Sequence, residues 1–184
     1  EGVNKGVDPM TKKIVHVVGT GTIGEPLIGL LCHFKEAFGI DEVTFHKRTP
    51  IRRERAKVEA CLRRGALLST DPDVRSDFEA LGHRVSMTHA EALERANVVI
   101  DCTPAGNANK ERYYKHLDGP KGFIAQGSEF GFGKMYARGI NDESLVPGKD
   151  RYIHVVSCNT HNLCRIETTI TENNKGGLDL ADGR

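Results

Sequence analysis

The chain has 184 residues, a formal net charge of +1 and five cysteines. A chain of this length can bury a core without a disulfide or a metal. Its near-neutral charge gives no general electrostatic attraction to nucleic acid or an anionic membrane, and no apolar run reaches the roughly 18 residues of a membrane span. The odd cysteine count, with no CxxC pair, disfavours a disulfide framework and a zinc site. We therefore expect a cytoplasmic protein without metal, nucleic-acid or membrane partners.

Short apolar segments alternate with helical segments along the chain. The predicted strands are residues 14–18, 43–45, 66–68, 83–87, 97–101, 123–126 and 152–156. The predicted helices are residues 26–38, 49–64, 73–81, 88–96, 107–117 and 159–171. Thr49 is predicted to cap the second helix, and Thr88 with Glu91 forms a predicted capping box. Strands that alternate with helices of this length predict βαβ units, a parallel sheet and an α/β fold of the Rossmann type.

A glycine motif follows the first predicted strand. Gly19, Gly21 and Gly24 form G-x-G-x-x-G at the start of the first helix, which is the context that a dinucleotide-binding motif requires. The first glycine permits the tight turn, the second lets a pyrophosphate approach the backbone, and the third allows close packing of helix and strand. The alternative is a tight strand-to-helix turn that binds nothing.

The end of the second strand predicts which dinucleotide is bound. In this fold an acidic residue there accepts a hydrogen bond from the ribose 2′-hydroxyl, but this chain has the cations Lys47 and Arg48. Because a cation pairs with a 2′-phosphate, we expect NADP or NAD as the cofactor, with NADP favoured. The alternative is that both cations begin a solvated basic face.

Thr103 follows a later strand, within residues 101–104. Carboxyl ends of such strands line the ligand crevice, so Thr103 is a candidate contact for the cofactor ribose. An equally open alternative is a turn that ends the strand, with Pro104 blocking its continuation.

Cys158 lies between the last predicted strand and the last predicted helix. A helix N-terminus favours the thiolate, and a thiolate is a suitable nucleophile for an aldehyde carbonyl. Ser157, Asn159 and Thr160 supply hydrogen-bond donors for a phosphate or a developing oxyanion. His161 shares the helix face of Cys158. The alternative for Cys158 is a small buried apolar residue.

Four segments together resemble archaeal-type (type II) phosphorylating glyceraldehyde-3-phosphate dehydrogenase. They are residues 19–24, 101–104, 126–129 and 155–160, and their order and spacing match the family over residues 10–170. The resemblance implies a dinucleotide-binding domain over 10–157, after an N-terminal extension over 1–9. It also implies the incomplete start of a catalytic domain over 158–184.

The resemblance further implies oxidation of glyceraldehyde 3-phosphate with NAD(P) and inorganic phosphate in glycolysis or gluconeogenesis. Cys158 matches the nucleophile, which would form a thiohemiacetal and then a thioester that phosphate attacks. Ser157 and Asn159 match its substrate-binding neighbours. Cofactor contacts are implied for Thr22, Ile23 and Gly127. Family members commonly form homotetramers.

The chain departs from the family pattern in three ways. His161 and Asn162 stand where the family usually has threonine and glycine, and residues 128–133 are richer in glycine and aromatic residues than is typical; both leave the exact aldehyde open. The third departure is an absence, because the catalytic histidine of the family lies well downstream of the cysteine and only 26 residues follow Cys158. We therefore expect the 184-residue chain to be an N-terminal fragment that is inactive alone. The alternatives are another cysteine-dependent aldehyde dehydrogenase, of the aspartate-semialdehyde type, and a non-catalytic dinucleotide-binding module.

Overall fold

A computed structural model describes residues 12–127 and 130–173. The described strands are β1 (Ile14–Val18), β2 (Glu42–His46), β3 (Leu67–Thr70), β4 (Val85–Thr88), β5 (Val98–Asp101), β6 (Gly122–Gly127), β7 (Lys134–Tyr136) and β8 (Tyr152–Val156). The described α-helices are α1 (Gly24–His33), α2 (Arg55–Arg63), α3 (Arg75–Ala80), α4 (His89–Arg95), α5 (Gly106–Arg112) and α6 (Cys158–Asn173).

The strands form one sheet in the order β4-β3-β2-β1-β5-β6-β8-β7. Every pairing is parallel. The chain builds outward from β1 through β2, β3 and β4, then crosses back to pair β5 with the other side of β1. That reversal opens a crevice at the carboxyl ends of β1 and β5, where open α/β sheets bind ligands. The predicted α/β fold of the Rossmann type is confirmed.

The core lies on both faces of the sheet. Val17 and Val18 are both buried, yet they belong to different apolar clusters, because successive residues of a strand point to opposite faces. The cluster on one side contains Ile28 of α1 and Phe45 of β2. The cluster on the other contains Tyr114 and Phe123. Two covered faces explain why four of the five residues of β1 are buried, without the alternation of a strand that has one exposed face.

One predicted helix cap is confirmed and the other is wrong. The backbone N–H of Glu91 donates to Thr88 Oγ1 at 3.2 Å, and the backbone N–H of Thr88 donates to Glu91 Oε2 at 2.7 Å. Thr49 caps nothing, because Ile51 is extended (φ −104°, ψ 118°) and a 3₁₀ turn over Arg52–Glu54 leads into α2. Strand β7 is absent from the strands predicted from the sequence. Its three residues are too few to show a period of two.

The predicted boundary at residue 158 falls where α6 begins, and the division into two domains stays a prediction. The predicted extension over 1–9 lies outside the described residues, as do residues 174–184 of the predicted second domain. Within residues 12–127 and 130–173, no helix is long and apolar enough to cross a membrane.

Candidate functional site

The glycine motif forms a tight loop between β1 and α1. Gly19 has φ +95°, and a Cβ atom there would lie 2.9 Å from Thr103 Cγ2. A Cβ atom on Gly24 would collide with the carbonyl oxygen of Gly19. No atom lies within 4 Å of a Cβ built on Gly21, so that position faces open space. The outer two glycines therefore let the chain pack closely, while the middle one leaves room for a ligand beside the backbone.

The N-terminus of α1 is open to an anion. Thr22 and Ile23 are exposed, and Ile23, at the N-cap, makes no side-chain capping hydrogen bond. The first turn of a helix carries the positive end of its dipole. Here the Glu25 N–H donates to the Gly21 carbonyl oxygen at 3.2 Å and Pro26 has no N–H. A diphosphate above the loop would therefore meet the dipole and the N–H groups of Thr22 and Ile23, which donate to no backbone acceptor among the described residues.

The two cations after β2 lie in different environments. Lys47 is buried, forms an ion pair with Glu54, and lies 3.4 Å through Nζ from Thr20 Oγ1. The hydrogen bond from Lys47 lowers the pKa of the Glu54 carboxyl. Arg48 is exposed at the rim. Of the two residues predicted to meet a 2′-phosphate, Arg48 is therefore the one facing solvent.

Thr103 is held by a buried carboxylate, that of Asp101 at the end of β5. Asp101 Oδ1 accepts from the backbone N–H of Thr103 at 2.8 Å and from Thr103 Oγ1 at 2.6 Å. Asp101 Oδ2 accepts from Asn109 Nδ2 at 2.8 Å and from the Tyr114 hydroxyl at 2.7 Å. Desolvation and the nearby carboxylate raise the pKa of Tyr114, which keeps its hydroxyl a donor. Four donors therefore hold this carboxylate inside the protein.

Two stacked histidines lie beneath the cleft. The rings of His46 and His89 are 3.8 Å apart between centroids, and both residues are buried. His16 packs 5.5 Å from His89, and its Nδ1 lies 2.7 Å from Thr44 Oγ1. Burial lowers the pKa of His46 to about 4 and that of His89 to about 3. The cleft therefore rests on neutral imidazoles.

These parts meet in a cleft of about 660 Å³ at the carboxyl edge of the sheet. Of the residues predicted to contact the cofactor, it is lined by Gly19, Gly21, Lys47, Arg48 and Thr103. A larger cavity of about 930 Å³ lies beside β3 and β4 and contains none of the predicted site residues. The carboxyl edge is the place where this fold binds ligands, so we take the smaller cleft as the candidate site.

Gly127 and the residues around Cys158 lie outside the lining of this cleft but on the same edge of the sheet. Gly127 ends β6 with φ +117°, and Cys158 follows β8 as the first residue of α6. In the strand order, β8 is three positions from β1. Three inter-strand spacings place Cys158 roughly 14 Å along the edge from the glycine loop.

The structure places Cys158 on the surface, with hydrogen-bonding side chains on both sides. Ser157 Oγ accepts from the backbone N–H of Thr160 at 3.3 Å and lies 2.9 Å from Thr160 Oγ1, so Ser157 caps α6. The thiol lies 4.0 Å from Asn159 Oδ1. His161 Nε2 lies 3.0 Å from the carbonyl oxygen of Arg138 and must donate to it. His161 is therefore anchored to a loop.

Cys158 is the exposed thiol among the five cysteines. Burial raises the pKa of Cys61 to about 11 and that of Cys102 to about 12. Both therefore stay as inert thiols at neutral pH. Cys32 and Cys164 are half-buried.

Several residues of the site were not singled out as functional from sequence. Glu54 pairs across a turn, and Tyr114 and Asn109 reach Asp101 from the segment after β5. An acid that ends a buried strand just before a threonine could have indicated the Asp101 cluster, because a buried carboxylate needs donors. No pattern in the sequence indicates that His46 and His89 stack.

The open position at Gly21, the uncapped start of α1 and the exposed Arg48 together fit a dinucleotide, with its diphosphate over the loop. Within the part of the chain that the structure describes, no group of three His, Cys, Asp or Glu side chains could hold an ion. Fold and loop together define a nucleotide-binding protein of the Rossmann α/β class.

Comparison with known proteins confirms the resemblance to archaeal glyceraldehyde-3-phosphate dehydrogenases. The chain is 34% identical to that enzyme from Methanobacterium bryantii over 162 residues, which is 87% of this chain and 46% of the relative. It is 33% identical to the enzyme from Pyrobaculum calidifontis over 165 residues, covering 88% of this chain and 45% of the relative. The chain thus spans about half the length of the curated relatives that it matches.

The other comparisons add less. No family model matches the chain. A solved structure of an imine reductase from Pseudomonas sp. is similar over 62% of this chain and 32% of its own, with 21% identity and a TM-score of 0.39.

Proposed function

We propose that this chain carries the cofactor cleft and the nucleophile of a phosphorylating glyceraldehyde-3-phosphate dehydrogenase that uses NAD(P). The observation that carries the proposal is that the glycine loop, Thr103, Gly127 and Cys158 all lie at the carboxyl ends of strands in one parallel sheet. A dinucleotide with its diphosphate at β1 and its adenosine toward β2 would extend its other half over β5 and β6, toward β8. Cys158 would then lie at the nicotinamide end.

The residues of this chain would divide the chemistry as follows. Cys158, as thiolate, attacks the aldehyde carbonyl of glyceraldehyde 3-phosphate and forms a thiohemiacetal. Ser157, Asn159 and Thr160 donate hydrogen bonds to the substrate or its developing oxyanion. An oxidised nicotinamide, when bound, would supply the acceptor for a hydride. The thiohemiacetal on Cys158 would lose a hydride from its carbon and a proton from its hydroxyl group and so become a thioester. Inorganic phosphate would then attack the thioester carbonyl, forming an acyl phosphate as the Cys158 thiolate leaves.

The cofactor contacts are assigned to the cleft and its rim. The diphosphate lies over Gly19–Gly24, with Thr22 and Ile23 beside it, and the ribose of the adenosine half lies near Arg48. Thr103 and Gly127 contact the other half. We assign the whole protein to the cytoplasm, as the odd number of cysteines favours, and to a homotetramer, as the resemblance implies.

The test is the activity of the whole protein that contains this chain. With glyceraldehyde 3-phosphate, inorganic phosphate and NADP or NAD, the cofactor should be reduced. The Cys158→Ser variant should lose at least about a thousandfold in kcat, because a hydroxyl is a far weaker nucleophile at neutral pH. Cys164→Ser is the matched control, since that half-buried thiol lies further along α6.

Three results would count against the proposal. Reduction that needs no inorganic phosphate would indicate a non-phosphorylating aldehyde dehydrogenase. Activity that survives Cys158→Ser would remove the proposed nucleophile. Dinucleotide binding without turnover of any aldehyde would indicate a binding module.

A further inference from the structure

The ammonium of Lys47 is held between two elements of the cleft. Lys47 is 8% exposed although it follows a strand at the rim. It pairs with Glu54 of the 3₁₀ turn before α2, and its Nζ lies 3.4 Å from Thr20 Oγ1 in the glycine loop. The carboxylate neutralises the charge of Lys47 where the second strand would read the ribose.

Other cations of the cleft are not neutralised in this way. Arg48 and Arg112 both line the cleft and are exposed. Among residues 12–127 and 130–173, neither forms an ion pair with a carboxylate. The cleft also contains the carboxylates of Asp71 and Asp73. Three cations and three carboxylates therefore line the cleft, and removing the charge of Glu54 would leave its lining with a net charge of +1.

We propose that Glu54 is a specificity-determining residue that weakens the preference of this cleft for a 2′-phosphorylated dinucleotide by holding the ammonium of Lys47. A 2′-phosphate must either draw Lys47 away from Glu54 or lie beside the Glu54 carboxylate, and both are unfavourable. A 2′-hydroxyl requires neither. Arg48, which forms no ion pair within the described part of the chain, remains as a guanidinium that can meet a phosphate. The inference rests on the proposed dinucleotide binding.

The experiment measures affinity for both reduced dinucleotides and does not need turnover. Because the chain has no tryptophan whose quenching could report binding, the titrations follow the fluorescence of the reduced nicotinamide in NADPH and NADH. The Glu54→Gln variant should raise the ratio of the NADH Kd to the NADPH Kd by roughly three- to tenfold, as expected for one nearby, partly screened charge. The Lys47→Met variant should lower the same ratio, because Glu54 then stays unpaired beside the phosphate.

Glu54→Gln and Lys47→Met each remove one side chain of the ion pair. If the pair determines specificity, the two variants should shift the ratio of the NADH Kd to the NADPH Kd in opposite directions. If the pair only braced the glycine loop, both variants would weaken both dinucleotides alike. Glu59→Gln is the matched control, because Glu59 pairs with Arg55 at 2.7 Å on α2 and does not line the cleft. The ratio of the NADH Kd to the NADPH Kd in the Glu59→Gln variant should equal that of the wild type.

The outcomes separate this inference from the proposed function. If the wild-type protein binds neither dinucleotide, both are overturned. If it binds them and Glu54→Gln leaves the ratio unchanged, or both variants shift it in the same direction, only the role of Glu54 is overturned. Should Glu54→Gln fail to fold, Glu54→Ala takes its place, and an unchanged ratio in that variant overturns the role of Glu54.

Discussion

The stacked pair of His46 and His89 makes the folded protein sensitive to mild acid. Burial lowers their pKa values from 6.5 to about 4 and about 3. Below pH 6.5 the unfolded chain binds a proton on each ring, while the folded protein does not until the pH approaches the lower values. The contribution of the pair to stability is therefore complete above pH 6.5 and is lost as the pH falls toward 4.

The size of this loss follows from the difference in bound protons. When the pH falls from about 7 to about 5.5, each ring lowers the free energy of unfolding by about 1 kcal/mol, so the pair lowers it by about 2–3 kcal/mol. Most carboxylates titrate at lower pH and contribute little in this window. The nearest carboxylate, Asp71, lies 3.9 Å from His46 Nε2 and is partly exposed. His16, more deeply buried, adds to the loss in the same direction.

The assay is urea unfolding followed by far-UV circular dichroism at several pH values. The variant His89→Gln removes one titrating ring and should reduce the loss between about pH 7 and about pH 5.5 by about 1 kcal/mol. His116→Gln removes an exposed imidazole and serves as the control. An equal loss in the wild type and His89→Gln would refute the reasoning, because the acid sensitivity would then arise elsewhere.

Three further outcomes are expected. Tyr114→Phe removes a 2.7 Å hydrogen bond to the buried Asp101 carboxylate and should cost about 1–3 kcal/mol of unfolding free energy; an unchanged urea midpoint would contradict that role. Gly21→Ala adds a methyl group that meets no atom within 4 Å, so the melting temperature should not change. The NADPH Kd should rise at least about tenfold, because the methyl group occupies the space of the diphosphate. Unchanged NADPH binding would contradict the placement of the diphosphate over the loop. Iodoacetamide should label the exposed Cys158 before Cys61, because burial raises the pKa of the Cys61 thiol to about 11. Peptide mass spectrometry would detect the order of labelling. Labelling of Cys61 first would contradict the assignment of Cys158 as the reactive thiol.

Local sequence predicted this protein well where short-range physics decides the outcome. The strand before Gly19, the helix after Gly24 and the capping box at Thr88 depend on nearest neighbours. The predicted cap at Thr49 was wrong because extended backbone at Ile51 delays the helix.

The sequence by itself determined the parallel α/β fold, the glycine loop and the position of Cys158 after a strand, since each depends on residue order and local preference. Only the tertiary structure decided which charged side chains are paired inside the protein and which are exposed to a ligand. It buries Lys47 against Glu54 while leaving Arg48 exposed, and it brings Tyr114 to Asp101 and stacks His46 on His89. Burial and charge pairing depend on what the rest of the chain places nearby, so no local pattern predicts them.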